Sequence, residues 1–389
     1  MLILGIESSC DETAAALLQD GRTILASVVA SQIPIHVPFG GVVPELASRE
    51  HVDNICLVVD ACFEEACSKG TPVSWRDLDV IAATRGPGLI GALMVGLTYA
   101  KSAAFALQIP FLAVNHLQGH IASVFLEHPD APLPALSLVV SGGHTSLYYL
   151  EKPSSPEELA RTTDDAAGEA LDKIAKFLGL GYPGGPVVER LARYGDPEAI
   201  RFPLPKFTDE GFHFSFSGIK SAAVRYAQAN GIQPRTPDET EDPERLPKQL
   251  LDLLASYQSR IIDQLLAGIE RGLEEREVAS IHISGGVSCN QELRRRAIEH
   301  FSGTRTPVLF PRPSLTTDNA AMIAAGYDVN EASQHTVCTL DPSAVPPYLM
   351  RYSSCEQYLI GTTPTEGTGH FIWYVRLGDG IVHGLEVGS

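Results

Sequence analysis

Twice along this chain an apolar strand runs into a short polar turn and comes straight back as a second apolar strand. Residues 2–6 are apolar, Ser8-Ser9-Cys10-Asp11 is a tight turn, and residues 14–18 are apolar again; Asp20-Gly21 then turns into a further strand over 23–29. The order repeats with residues 135–140, the turn Ser141-Gly142-Gly143-His144 and the returning strand 146–150. Short apolar runs bounded by turn residues read as strands, so the chain reads as two similar halves. Glycines in such turns let backbone N–H groups approach a phosphate closely; for either turn alone a plain hairpin is the simpler reading.

Two more glycine turns precede helices. Residues 278–283 form a short strand, Ser284-Gly285-Gly286-Val287-Ser288 is a loop, and a helix is expected from Asn290 through Arg296. Strand, glycine loop and helix N-terminus together make an anion or nucleotide site. Asn290 stands where its side chain could meet a ligand, or simply cap the helix. Arg85-Gly86-Pro87-Gly88-Leu89-Ile90-Gly91 leads into an expected helix over 92–107, and a structural turn explains it equally well.

Length and composition set outer bounds. The 389 residues fit two domains, and 44% hydrophobic with 20% charged residues is ordinary for a globular protein. The first basic residue is Arg22, which leaves no signal-peptide n-region, and no apolar run reads as long enough to span a bilayer. Seven scattered cysteines without a Cys-x-x-Cys point to a reducing, cytoplasmic setting. A net charge of -18 argues against binding polyphosphate by bulk electrostatics. A local basic strip or a basic partner could still serve nucleic acid. Arg294, Arg295 and Arg296 form a basic run whose members point in different directions on a helix, and read as a solvated face.

The chemistry gathers on a few residues. In Val114-Asn115-His116-Leu117-Gln118-Gly119-His120, two imidazoles one helical turn apart can reach one metal ion. A zinc protease of the His-Glu-x-x-His type needs a glutamate where Leu117 stands. Asp318, in Thr316-Thr317-Asp318-Asn319 before an expected helix over 320–327, is the third candidate ligand or else an N-cap. Two histidines and an aspartate with open positions suit a borderline or redox-capable divalent ion. Residues 164–173 carry four carboxylates, Asp164, Asp165, Glu169 and Asp172, ahead of the rigid turn Tyr182-Pro183-Gly184-Gly185-Pro186. First-turn acids commonly offset the helix dipole, but Asp172 lies too deep for that.

Taken together, Gly5-Ile6-Glu7-Ser8-Ser9-Cys10-Asp11-Glu12-Thr13, Val43-Pro44-Glu45-Leu46-Ala47-Ser48-Arg49 with His51, and Asn115-His116-Leu117-Gln118-Gly119-His120 resemble one known family. The likeness continues through Ser141-Gly142-Gly143-His144-Thr145, the acidic run, the turn at 182–186, Phe214-Ser215-Phe216-Ser217-Gly218-Ile219-Lys220, residues 284–290 and Thr317-Asp318-Asn319-Ala320. It covers the chain to about residue 329 and matches the tRNA threonylcarbamoyladenosine transferase (TsaD) family, whose older name is O-sialoglycoprotein endopeptidase or glycoprotease family.

That resemblance implies an α/β fold of the actin, sugar-kinase and heat-shock chaperone ATPase type, with duplicated domains and a central cleft. It implies an N-terminal actin-like domain over residues 1–112, completed by a returning helix near 318–332. A C-terminal actin-like domain follows over 113–317, with a mobile, proline-rich acidic insertion near 229–248, and then an extension over 334–389. The implied metal ligands are His116, His120 and Asp318, with Fe(2+) the usual metal and zinc compatible. Substrate-binding positions fall on Val139, Val140, Ser141, Gly142, Gly143, Asp172, Gly185, Glu189 and Asn290. The ligand would be an adenylate: threonylcarbamoyl-AMP, or ATP, ADP or AMP. The implied partners are tRNA, a paralogous TsaB-type protein and a TsaE-type ATPase, with no membrane.

The implied reaction is an acyl transfer, moving threonylcarbamoyl from its adenylate to the exocyclic amine of adenosine 37, beside the anticodon, in tRNAs reading codons that begin with adenine. No serine or cysteine with a paired base is visible, so direct attack by the amine is the simplest route; Asp11 and Glu12 are candidates to take its proton. A metalloprotease and a metal-dependent ATPase or kinase are the competing classes. The first meets Leu117 in the base position, and the second has no use for two histidines and an aspartate on one metal. In the extension, residues 371–377 and 381–385 around Gly378-Asp379-Gly380 read as a hairpin, with alternating residues on opposite faces.

Overall fold

The computed structural model describes residues 1–205, 213–240 and 242–326, and beyond them the backbone of five short strands in the C-terminal extension. The chain folds as two units, Met1–Gln32 with Pro44–Gly119 and Asn319–Ser389, and Ile33–Val43 with His120–Asp318.

The first unit is built on a five-stranded sheet ordered β3-β2-β1-β4-β5. Strands β1 (Leu2–Glu7), β2 (Glu12–Gln19) and β3 (Thr23–Ser31) form an antiparallel meander; β4 (Val80–Gly86) and β5 (Phe111–Asn115) add in parallel. All six residues of β1 are buried, because the sheet is covered on both faces, and this is why β1 reads as a continuous apolar run. Leu2, Leu4 and Ile6 share a core with α2 (Pro44–Ser68) and α3 (Ile90–Leu107). On the other face α10 (Ala320–Ala325) lies so close that a Cβ on Gly5 would sit 2.2 Å from the Ala320 carbonyl oxygen. Only glycine lets that helix seat.

One sequence expectation needs correcting here. Helix α3, 18 residues long, is long and apolar enough to cross a membrane by length and composition alone. Its composition has a local cause: Ala92, Gly96, Ala100, Ala103 and Ala104 are buried, and a Cβ on Gly96 would come within 2.3 Å of Ser8 Oγ. Small residues allow this close approach. The outward side carries Ile90 and Phe105, 79% and 36% exposed.

The second unit repeats the plan. Its sheet is ordered β10-β9-β6-β7-β8; β6 (Ala135–Val140), β7 (Thr145–Leu150) and β8 (Pro156–Arg161) form the meander, and β9 (Ser280–Ser284) and β10 (Val308–Leu309) add in parallel. The two sheets share one topology, as the two similar halves foretold. Leu136, Leu138, Ile281 and Ile283 pack into a core with α5 (Ala167–Phe177), α6 (Gly184–Ala192), α7 (Ser217–Ala229), α8 (Lys248–Glu275) and α9 (Gln291–Phe301). The short α1 (Ile33–His36) and its neighbours are tied to α5 by Lys176 Nζ, which donates to the Phe39 carbonyl at 3.0 Å. The proline-rich stretch after α7 is anchored: Arg235 N donates to the Leu178 carbonyl, Arg190 to the Thr240 carbonyl, and Leu246 is buried.

Alternation along β9 turns His282 away from Ile281 and Ile283, toward Phe125 on α4 (His116–Glu127), whose ring it meets edge-on at 5.2 Å. Ser280 Oγ donates to the Pro132 carbonyl and stands 2.9 Å from His282 Nε2, which fixes Nε2 as the protonated nitrogen. Burial, with a smaller push from His128, lowers the His282 pKa from 6.5 to about 4. A folded pKa below the unfolded one means the unfolded chain takes up the proton first. Stability is therefore whole above pH 6.5 and is lost as pH falls toward 4, by about 3 kcal/mol at most. We expect the thermal midpoint of wild type to fall more steeply between pH 7 and 4.5 than that of His282→Asn. Parallel pH profiles of the two proteins would refute it.

In the extension, β11 (Ile360–Thr363) pairs antiparallel with β12 (His370–Trp373), which pairs with β15 (Glu386–Val387). A hairpin joins β13 (Val375–Leu377) to β14 (Gly380–Val382), with Leu377 opposite Gly380. The expected hairpin is present, but the expected single strand over 371–377 is divided between two pairings. The expected faces of its side chains lie outside the described residues.

Candidate functional site

Strand β5 ends at Asn115 and α4 begins at His116 with no loop between. Asn115 Oδ1 accepts from the N–H groups of Leu117 and Gln118, at 2.9 and 3.4 Å, and so caps the helix. The cap is Asn115, and both histidines are left for other work on one face of the helix. His116 Nδ1 lies 3.0 Å from Glu7 Oε2 and 3.2 Å from Ser9 Oγ. His120 is fully buried, and its Nε2 lies 3.3 Å from Asp318 Oδ1. One donor atom from each of His116, His120 and Asp318 falls within 4.8 Å of the others. Donors bound to one ion at about 2.1 Å are roughly 3–4 Å apart, so the set needs only a small contraction to hold a divalent metal.

Local packing explains how Asp318 arrives there. Asn319 caps α10, its Oδ1 accepting from Met322 N at 3.0 Å, so Asp318 is not the cap. Helix α10 presses on α4 at Gly119, where a Cβ would lie 2.9 Å from Ile323 Cδ1. The glycine between the two histidines thus lets α10 approach α4.

The candidate acid–base pair sits on the β1–β2 turn. Asp11 is buried, its carbonyl accepting from Gln32 N, and Glu12 opens β2 half-buried. The turn is clamped by buried His51, whose Nε2 lies 3.0 Å from the Cys10 carbonyl and whose Nδ1 lies 2.8 Å from Thr13 Oγ1.

In the second unit, the turn after β6 and the start of α5 press together. Gly168 N donates to the Ser141 carbonyl at 3.2 Å, and a Cβ there would collide with Ser141 and Gly142 backbone. Gly285, at φ +89°, approaches the Val140 carbonyl, 2.4 Å from where its Cβ would be. Around Gly142, Gly143 and Gly286, by contrast, a Cβ would meet nothing within 4 Å. Open glycine turns beside a helix N-terminus, past the ends of parallel β6 and β9, form a cradle suited to an anion. Val139 and Val140, at the end of β6, are wholly buried, backbone included, between β7 and β9.

The model of the TsaD family, tRNA N6-adenosine threonylcarbamoyltransferase, matches residues 23–325. A protein of that description from Geotalea uraniireducens is 45% identical over 346 residues, covering 89% of this chain and 96% of the relative. Another, from Syntrophobacter fumaroxidans, is 47% identical over 325 residues, covering 84% and 93%. This chain belongs to the tRNA N6-adenosine threonylcarbamoyltransferase family. Among solved structures, HypF of T. kodakarensis superposes with a TM-score of 0.54 at 15% identity, over 83% of this chain and 47% of HypF. Full-length HypF in its phosphate- and nucleotide-bound form gives 0.52 at 13% identity, over 84% and 45%. That likeness is one of fold, and with the paired sheets it places the chain in the actin-like α/β class.

Within this family member, the remaining site residues have identifiable local partners. Asp172 Oδ1 accepts from Gly184 N at 2.7 Å, so it satisfies the first N–H of α6 from α5, with Gly185 next in that helix. Glu189 Oε1 accepts from Arg193 and from Gln291 N, which brings it beside Asn290 at the start of α9. Asn290 caps α9 through Leu293 N and donates to Gln258 Oε1 at 2.9 Å. The other three carboxylates of the acidic run are equally committed. Asp164 accepts from Ser215 Oγ and Phe216 N, Asp165 binds Lys173 and Lys220, and Glu169 pairs with Lys173. The run therefore fixes α5 and the 214–220 block in place.

The arginine run needs correcting. Its members do diverge, but only Arg295 lies on a solvated face, paired with Glu292 and Glu299. Arg294 donates to the Ser288 and Pro311 carbonyls and stacks 4.7 Å over Phe310, and Arg296 reaches Ser259 and Asp263. Glu7 and Ser9 at His116, and Thr84 behind Glu7, were not among the expected site residues. The available signal was a carboxylate closing an otherwise apolar strand.

Proposed function

We infer that this chain is a tRNA-modifying acyltransferase that moves threonylcarbamoyl from threonylcarbamoyl-AMP to the exocyclic amine of adenosine 37 in tRNAs reading codons that begin with adenine. Family membership supports the reaction, and the single structural observation that carries the reading is the convergence of His116, His120 and Asp318. These donors suit Fe(2+) or zinc; the bound ion would act as a Lewis acid toward carbonyl or phosphate oxygen. The open turns at Gly142, Gly143 and Gly286 would receive the adenylate, with Glu189 and Asn290 beside each other at the start of α9. Asp11 and Glu12 would stand ready to accept the amine proton. The glycoprotease alternative lacks a base at Leu117, and an ATPase or kinase alone leaves the histidine pair unexplained.

The net charge of -18 makes weak, salt-sensitive tRNA binding by the isolated chain the expected behaviour. The outward side of α3, with Ile90 exposed, would dock a paralogous TsaB-type partner, and a TsaE-type ATPase would complete a cytoplasmic assembly. The direct test is transfer assayed on unmodified tRNA with purified chain, threonylcarbamoyl-AMP and those partners. Formation of threonylcarbamoyladenosine supports the reading. Its absence, with folded chain and active partners, or tight salt-insensitive tRNA binding by the chain alone, contradicts it.

A further inference from the structure

We propose that Glu7 is the positioning residue that makes His116 a metal ligand: it holds the Nδ1 proton and leaves Nε2 as the donor atom. The inference depends on the reading of His116, His120 and Asp318 as a metal site. Glu7 is the last residue of β1, a strand otherwise made of aliphatic residues and glycine, and its side chain is fully buried. A carboxylate in such a place is costly unless hydrogen bonds satisfy it. Its Oε1 accepts from Ser9 N, and its Oε2 accepts from Thr84 Oγ1 at 2.6 Å and faces His116 Nδ1 at 3.0 Å.

An ionised carboxylate has no proton to give, so the hydrogen in the Glu7–His116 contact belongs to Nδ1. That fixes the tautomer: Nε2 carries a lone pair, on the side of the ring away from Glu7. It also raises the basicity of the imidazole and stops the ring from turning. The negative charge itself favours a cation nearby. Thr84, on β4 in the parallel register beside β1, donates to Oε2 and so orients it. A merely structural Glu7, pinning the β1–β2 turn through Ser9, would leave metal affinity untouched.

The experiment is titration of metal-free full-length chain with Zn(2+) against a chromophoric chelator, for wild type, Glu7→Gln, Thr84→Val and His116→Ala, with thermal midpoints of the metal-free proteins. Wild type should bind one equivalent. Glu7→Gln should bind about 10–100-fold more weakly, Thr84→Val should weaken in the same direction by a smaller factor, and His116→Ala should lose high-affinity binding. Glu7→Gln and wild type binding equally tightly would overturn the proposal while sparing the metal site. Should Glu7→Gln fail to fold, Thr84→Val decides, and unchanged affinity there overturns it. Failure of wild type to bind the ion would overturn the metal reading, and this proposal with it.

Discussion

Replacing Asp318 by asparagine is expected to abolish the function while leaving the fold intact. The change removes the charge and one strong donor from the trio but preserves shape. Asp318 is 20% exposed and pairs with His120 at 3.3 Å, so little stability depends on the carboxylate itself. Metal content of the purified protein should fall from about one equivalent to near zero, and transfer to tRNA by about 1000-fold, roughly 4 kcal/mol of lost barrier reduction. The metal-free thermal midpoints of the two proteins should agree within about 2 °C. Equal metal content by elemental analysis would remove Asp318 from the ligand set; a large loss of metal-free stability would make its role structural.

The second large effect is expected at Gly285, and it has an opposite at Gly142. Gly285 adopts φ +89°, and a Cβ there would lie 2.4 Å from the Val140 carbonyl oxygen. Alanine meets a penalty of about 1–2 kcal/mol for a backbone conformation essentially reserved for glycine and a backbone collision costing about 1–3 kcal/mol more. Gly285→Ala should therefore lose about 2–5 kcal/mol of stability, read from urea unfolding with an unchanged slope. At Gly142 a Cβ meets nothing within 4 Å and the backbone is not left-handed, so Gly142→Ala should unfold within about 0.5 kcal/mol of wild type. It should nonetheless bind AMP more weakly, because the methyl group fills space an adenylate phosphate would use. Normal AMP affinity in a stable Gly142→Ala protein would show that the open turn does not hold the phosphate. Wild-type stability in Gly285→Ala would show that the contact with β6 can relax.

Much of this was legible in the residues. The two strand–turn–strand openings led to two sheets of one topology, because continuous apolar runs and turn residues are local signals that burial enforces. The spacing of His116 and His120 put both rings on one helix face, since helical periodicity is fixed by backbone geometry. The glycine turns could be found, but not told apart. Gly285 is required by a backbone contact with β6, whereas Gly142 faces open space, and both read as glycine. In the acidic run, four carboxylates looked like one chemical feature, yet Asp164, Asp165, Glu169 and Asp172 each hold a different partner. Arg294 and Arg296 looked solvated because a charge run says nothing of the carbonyls waiting across the loop.

What the sequence alone determined, then, was the local grammar: strands, turns, helix starts, and the residue types able to bind a metal. Only the tertiary structure decided which of them meet. Asp318 joins the histidines because α10 seats on Gly5 and Gly119, and Glu7 reaches His116 because β1 lies two strands from β5 across β4. Those contacts join residues about a hundred or more positions apart. Such distances are set by packing and sheet order, which no local pattern in a single sequence encodes.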